Sequence, residues 1–473
     1  MALMLGAALR LYRLGYADLS ADEAAAWAGA SAPTLRAVVE RERLLDPGKL
    51  ALYDLALHAW IAAGGDGVGW MRTFSAMLGV CVVALMFAVA RELMLGLTET
   101  IEFSRIELAG AFAALVAAAN LTLVNQARTV RMYPLTLALE LAQVFCLLRT
   151  LSGRTGARGR VASAIGVALL TMLAISANFT AVLLVAAEVP WLAILLAARH
   201  LRRSAPAMNE PGRSGVSGAH LLSAGLALAA GIALLALIAP VAPRNSIEVV
   251  RAGVLNWSRL RSPWWPLMVL RGASGKAPFP MLLGLALYGA WRMRRRGNIA
   301  ALGFLLFWIL GPIALVMAIS YAFTPFEEAR YVIGSVAAFF ILAGIGVAEI
   351  ADARLGLCLL ALLLVLSLDH VRRNFARPEF VQWRAATALA LHFASPDEAV
   401  GVVPAYAVNA ARYYTPSALR AKVEPATPRC DAPQPRVLIL TGTELMSREN
   451  LAAIRACAPT VLARWRLIEV RRR

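Results

Sequence analysis

The sequence predicts an all-α polytopic membrane protein of about eleven transmembrane helices, with external juxtamembrane helices and a small exported α/β domain at its C-terminal end. Three observations predict it. Apolar residues make up 60% of the 473-residue chain and mean hydropathy is +0.65, far above the level of soluble domains. Runs such as Leu221–Ala239 and Leu355–Leu368 carry no charge at all. From about Arg372 onward the composition turns polar and the apolar runs shrink to strand length. The formal net charge of +18 does not imply nucleic acid, because the arginines gather in short loops between apolar runs, where they orient a membrane protein.

Runs long enough to cross the hydrocarbon lie near 1–14, 73–95, 108–125, 133–149, 161–178, 180–198, 220–240, 277–291, 299–320, 331–350 and 355–370. Residues 1–371 therefore form the membrane domain and 372–473 the exported one. Under this count Arg149/Arg154/Arg158/Arg160, Arg199/Arg202/Arg203/Arg213 and Arg292/Arg294/Arg295/Arg296 share one side, which the positive-inside rule makes the cytoplasm. The opposite side receives Asp22-Glu23, the segment from Arg128 to Tyr133, the loop 243–276, the turn Glu327-Glu328-Ala-Arg330-Tyr331 and the C-terminal domain.

The first external loop, 15–72, is too long for a simple connector. Within it, Leu35, Val38 and Val39 fall on one helical face and Arg36, Glu40 and Arg43 on another, as in a helix lying in the interface. A turn with Lys49 then leads to Leu52-Tyr53-Asp54 and the apolar stretch 55–63, closed by Gly64-Gly65. In the C-terminal region, Phe380–Phe393 has an amphipathic helix pattern. Ala399–Val403 and Arg436–Leu440 read as buried strands, and Ser447–Cys457 as a further helix. Cys81, Cys146 and Cys358 lie in apolar runs and read as small core residues. Cys430 and Cys457 fall in the exported region, where a disulfide is expected, worth roughly 3 kcal/mol to the small domain. No metal-ligand spacing of His or Cys occurs.

Chemistry centres on Asp22 and Glu23, two adjacent carboxylates directly after the first apolar segment. Ser20-Ala-Asp-Glu is also a capping box, which occupies Glu23 and leaves Asp22 free to face a cleft. The same surface holds Lys49, Arg128, Arg131 and Arg330, the last beside Tyr331. Arginines here can bind phosphate through charge-assisted hydrogen bonds, or snorkel at span ends. Carboxylates, arginines and wide apolar spans together fit a substrate with an anionic head and a lipid tail. A transporter or flippase is the competing class, since Glu140 and Glu188 sit mid-span, but transporters place most ionisable groups near the midplane rather than at one face.

The stretches Asp22-Glu23-Ala, Leu52-Tyr53…His58-Ala-Trp60, Gly64-Gly-Asp-Gly…Met71-Arg72-Thr-Phe-Ser75, Arg128…Arg131-Met132-Tyr133-Pro134 and Ala329-Arg330-Tyr331 occur in the order seen in GT-C membrane glycosyltransferases. Over roughly residues 5–350 the chain resembles their bacterial branch, which includes protein O-mannosyltransferase-like and lipid A aminoarabinose transferase-like enzymes. The resemblance implies an inverting hexosyl- or pentosyltransferase of the bacterial cytoplasmic membrane. It would move sugar from a polyprenyl-phosphate carrier to a hydroxyl or similar acceptor on a lipid, glycan or protein, at the outer face. By position Asp22 is then the general base, with Glu23 orienting it or helping to hold a divalent metal. Lys49, Arg128, Arg131, Tyr133, Arg330 and Tyr331 face the donor phosphate. The chain departs from the pattern at Pro47-Gly48, where Pro-Pro is common, and at Thr129-Val130, where an acid often stands.

The topology has a direct check: alkaline phosphatase fused after residue 473 should be active on intact cells. A fluorescent GFP fusion at the same point with silent phosphatase would reverse the orientation.

Overall fold

The computed structural model describes the chain except residues 46–49, 98–101, 153, 205–216, 239–261, 323–328, 377–381, 427–435, 443–447, 466 and 473. Its membrane part runs α1 (Ala2–Leu11), α2 (Ala21–Ala30), α3 (Leu35–Leu45), α4 (Leu52–Gly64), α5 (Val68–Leu97), α6 (Phe103–Ala119), α7 (Leu121–Ala127), α8 (Tyr133–Leu151) and α9 (Ala157–Ala177). It continues with α10 (Val182–Ser204), α11 (Gly218–Ile238), α12 (Trp265–Ser274), α13 (Phe279–Arg295), α14 (Ile299–Ala322), α15 (Ile333–Ala348) and α16 (Ala353–Ala376). Among the described residues eight helices are long and apolar enough to cross a membrane, and the bent pair α6–α7 makes a ninth. The expected spans at 1–14 and 277–291 correspond to α1 and α13, of 10 and 17 residues, so every expected span has a helix at its place.

The bundle closes around α15, whose span is 94% buried. Small residues make this possible. A Cβ on Gly289 would stand 2.6 Å from the Leu342 carbonyl oxygen, one on Gly344 2.8 Å from that of Ala109, and one on Gly346 would collide with that of Leu285. Backbone approach of this kind drives helix association where lipid supplies no hydrophobic contrast.

The bend of 62° between α6 and α7 exposes carbonyls that the hydrocarbon cannot satisfy. Arg10 of α1 meets that need: its guanidinium is buried and donates to Ala117 O and Ala118 O, both at 3.0 Å. Asn120 caps α7 through the Leu123 amide at 3.0 Å and donates to Ala273 O at 2.8 Å. The bend aims the segment 128–133 at α2.

The C-terminal part comprises α17 (Trp383–Phe393), β1 (Val400–Val403), α18 (Val408–Tyr414), β2 (Val423–Pro425), β3 (Val437–Thr441), α19 (Arg448–Cys457), β4 (Thr460–Arg464) and β5 (Ile468–Arg472). The sheet order is β2-β1-β3-β5-β4, with β1 parallel to β2 and β3 and β5 antiparallel to β3 and β4. Strands β2, β4 and β5 lie beyond the two expected from sequence. The signal in β5 is masked by Arg471, which is buried because its guanidinium donates to Ala458 O at 2.7 Å and to Glu469 at 3.0 Å. One face of the sheet, with Val402, Ile439 and Val470, shares a core with Trp383 of α17 and with Leu19, Trp27, Tyr53 and Met71 of the membrane part. Cys457 is disulfide-bonded, while its expected partner Cys430 lies outside the described residues.

Glycine at 346 should be irreplaceable. Gly346→Val is expected to destabilise the purified protein by about 1–3 kcal/mol or more through overpacking, read as a lowered thermal midpoint in neutral detergent. Gly284→Val, where a Cβ meets nothing within 4 Å, should leave it unchanged.

Candidate active site

Helix α2 starts at Ser20, whose Oγ accepts the Glu23 amide at 3.3 Å while the Glu23 carboxylate accepts the Ser20 amide at 2.9 Å. This is the capping box expected from sequence, but Glu23 does more. Arg72, near the start of α5, donates to both its oxygens, Nε at 2.8 Å and Nη2 at 2.9 Å, and the Val130 amide adds a bond of 2.9 Å. The remaining Arg72 donors reach the carbonyls of Leu14, Ala17 and Asp18 at 2.8–2.9 Å. Both side chains are buried, at 3% and 6% exposure. Glu23 is therefore a structural anion, fully engaged in joining α2, α5 and the 128–133 segment.

Asp22 points the other way. Its side chain is 50% exposed, with Oδ2 3.4 Å from Arg330 Nη1 and 4.0 Å from Arg131 Nη2. Arg131 also donates to the Asp22 carbonyl at 3.3 Å. The Tyr133 ring lies beneath both guanidinium groups, 5.9 Å from Arg131 and 6.0 Å from Arg330, and the Tyr331 ring is 5.7 Å from Arg330. Five of the sequence-selected residues, Asp22, Arg131, Tyr133, Arg330 and Tyr331, thus come together. They arrive from α2, from the turn before Pro134 at the head of α8, and from the 3₁₀ turn Ala329–Val332 that leads into α15.

Arg128 is engaged elsewhere. It donates to the carbonyls of Leu9, Arg10 and Tyr12 at the end of α1 and lies 4.5 Å from the Phe375 ring centroid, and burial lowers its pKa to about 10. Lys49 and the Glu327-Glu328 pair lie outside the described residues. Glu140 and Glu188 are buried in the bundle, Glu188 accepting from Gln143 at 3.0 Å. No group of three or more His, Cys, Asp or Glu side chains clusters among the described residues. With Glu23 committed to Arg72 and two arginines beside Asp22, a divalent cation does not fit these two carboxylates.

The C-terminal part braces α2 from outside. The Leu19 amide donates to the Tyr414 hydroxyl at 2.7 Å, Asp18 accepts the Arg384 amide at 2.9 Å, and the Tyr413 hydroxyl donates to Asp66 O at 2.8 Å. Asp66 in turn accepts Trp27 Nε1 at 3.0 Å. Burial pushes the Tyr413 phenol up to about 12 and also raises that of Tyr414, so both remain protonated donors or acceptors throughout the physiological range. In the sequence Arg72 stands out only as part of the Met71-Arg72-Thr-Phe-Ser75 stretch. The signal available was an arginine at the very start of a span with a carboxylate on the same side to receive it.

No protein-family model matches the chain, and no curated protein matches it by sequence. Solved structures do. ArnT from Cupriavidus metallidurans bound to undecaprenyl phosphate aligns over 99% of this chain and 97% of its own, with a TM-score of 0.59 at 13% identity. The archaeal oligosaccharyltransferase AglB from Archaeoglobus fulgidus, in complex with an inhibitory peptide and a dolichol-phosphate, aligns over 93% of this chain and 68% of its own, with a TM-score of 0.56 at 12% identity. The chain has the GT-C fold, a polytopic helical membrane body with a small C-terminal α/β part.

The two neighbouring carboxylates should separate cleanly in stability. Arg72→Ala, which strands Glu23 in the core, is expected to cost about 3–5 kcal/mol. Asp22→Ala, which removes a half-exposed ion pair, should cost at most about 1 kcal/mol. Denaturation of the purified variants in detergent measures both.

Proposed function

We propose that the protein is a membrane glycosyltransferase that moves a hexosyl or pentosyl group from a polyprenyl-phosphate carrier to a hydroxyl or similar acceptor. The reaction would run at the outer face of a bacterial cytoplasmic membrane, with the C-terminal part exported. One observation carries the reading: a half-exposed carboxylate, Asp22, stands against two arginines, Arg131 and Arg330, over a tyrosine at the ends of apolar spans. A base and an anion-binding pair at the lipid boundary are what a sugar phosphate with a lipid tail requires. Support also comes from the fold shared with proteins solved with undecaprenyl phosphate and with a dolichol-phosphate.

In the proposed step, Asp22 takes the acceptor hydroxyl proton as the oxygen attacks the anomeric carbon from the face opposite the phosphate. The bond from that carbon to the phosphate oxygen breaks, the configuration inverts, and polyprenyl phosphate leaves with the electron pair. A phosphate leaving group needs no general acid, so one carboxylate suffices. Arg131 and Arg330 hold the charge that develops on phosphate. Since a sugar ring must enter between base and phosphate, donor binding would part the contacts of 3.4 and 4.0 Å around Asp22. An exposed ion pair is worth at most about 1 kcal/mol, so the opening is easily driven by a charged donor.

Asp22→Asn retains shape and hydrogen bonding but removes the base, and should lower transfer from a polyprenyl-phosphate sugar by roughly two to four orders of magnitude. Arg330→Ala should weaken donor binding, whereas Ser20→Ala should retain activity. A correctly inserted Asp22→Asn protein that transfers as fast as the parent removes Asp22 as the base.

A further inference from the structure

At the end of the bundle opposite Asp22, a second charged centre stands apart from the proposed reaction. Glu349, just after α15, has a side chain only 2% exposed, and its Oε2 faces three guanidinium groups: Arg296 at 2.7 Å, Arg292 at 3.2 Å and Arg105 at 3.8 Å. Those arginines remain 27–31% exposed. Glu102 pairs with Arg105 at 3.4 Å, and Arg295 is exposed with its guanidinium 5.0 Å from the Trp291 ring centroid. Among the described residues, four arginines stand against two carboxylates, an excess of two positive charges.

The outer face of α13 leads directly to this charge. Leu287, Trp291 and Arg295 recur every four residues on one stripe, Leu287 being 62% and Trp291 46% exposed. Apolar, aromatic and cationic groups follow one another along the helix in the order of acyl chain, interface and headgroup. Snorkelling alone explains a single arginine at a helix end. It does not explain why three arginines from α6 and α13 and its C-terminal turn converge on one buried anion and keep their excess charge at the mouth of an apolar stripe.

We propose that this end of α13 binds one anionic glycerophospholipid, its phosphodiester seated at Arg292, Arg295 and Arg296 and one acyl chain lying along Leu287 and Trp291. The phosphodiester would meet the excess positive charge of these described residues. A basic pocket between membrane helices on the arginine-rich side is a recurrent setting for such headgroups.

Native mass spectrometry of the full chain in neutral detergent tests this at low molar ratios of phosphatidylglycerol or phosphatidylcholine. The expected result is one retained phosphatidylglycerol, little phosphatidylcholine, and a drop in phosphatidylglycerol retention of about fivefold in Arg295→Ala. Arg295 lies outside the Glu349 ion pairs, so this variant should fold normally. Trp291→Leu should lower retention as well. Equal retention of the two lipids, or unchanged retention in Arg295→Ala, overturns the site. Full competition by inorganic phosphate overturns the acyl-chain part and leaves a plain anion site.

Discussion

The buried pair of Glu23 and Arg72 is the constraint on which the site depends. Its bidentate geometry ties the start of α2 to the start of α5, and its spare contacts reach the chain before α2 and the Val130 amide ahead of α8. Three stretches of chain distant in sequence, 14–23, the start of α5 and the 128–133 segment, are thereby fixed by two side chains. Such a pair adds little stability relative to a well-packed apolar substitute, yet it is costly to break. Its worth lies in specificity of arrangement: with Glu23 turned inward, the preceding residue, Asp22, stands half-exposed, and Arg131 is set one residue beyond a pinned amide.

The contrast between a buried Glu23 and a half-exposed Asp22 explains what the sequence could and could not disclose. The capping box and the carboxylate pair were visible as local patterns, and both are present. That both Glu23 oxygens are held by Arg72 depends on a residue 49 positions away, and no local pattern reports such a pairing. The same holds for Arg128 and Arg131. Three residues apart and alike in sequence, they diverge because one finds the open end of α1 and the other finds α2.

Hydrophobic runs disclosed the helices well, since the bilayer demands length and apolarity in every span. The sheet was less legible. Strands β1 and β3 are buried apolar runs, while β4 is largely exposed and β5 carries Arg471, whose burial depends on carbonyl and carboxylate partners formed only in the tertiary structure. The break between α6 and α7 was equally hidden. Asn120 inside an apolar stretch marks it in retrospect, but the arginine that satisfies the broken end comes from residue 10, more than a hundred positions earlier.

The near-complete enclosure of α15 also bears on how the protein is made. A helix with almost no lipid-facing surface gains little from dwelling alone in the bilayer, and its glycines give it no grip on acyl chains. Its contact partners α6, α13 and α14 precede it in the chain, so during synthesis they reach the membrane first and can leave a slot of defined shape. The 3₁₀ turn bearing Arg330 leads directly into α15. The packing of this helix and the position of Arg330 beside Asp22 are therefore tied together through the short turn that joins them.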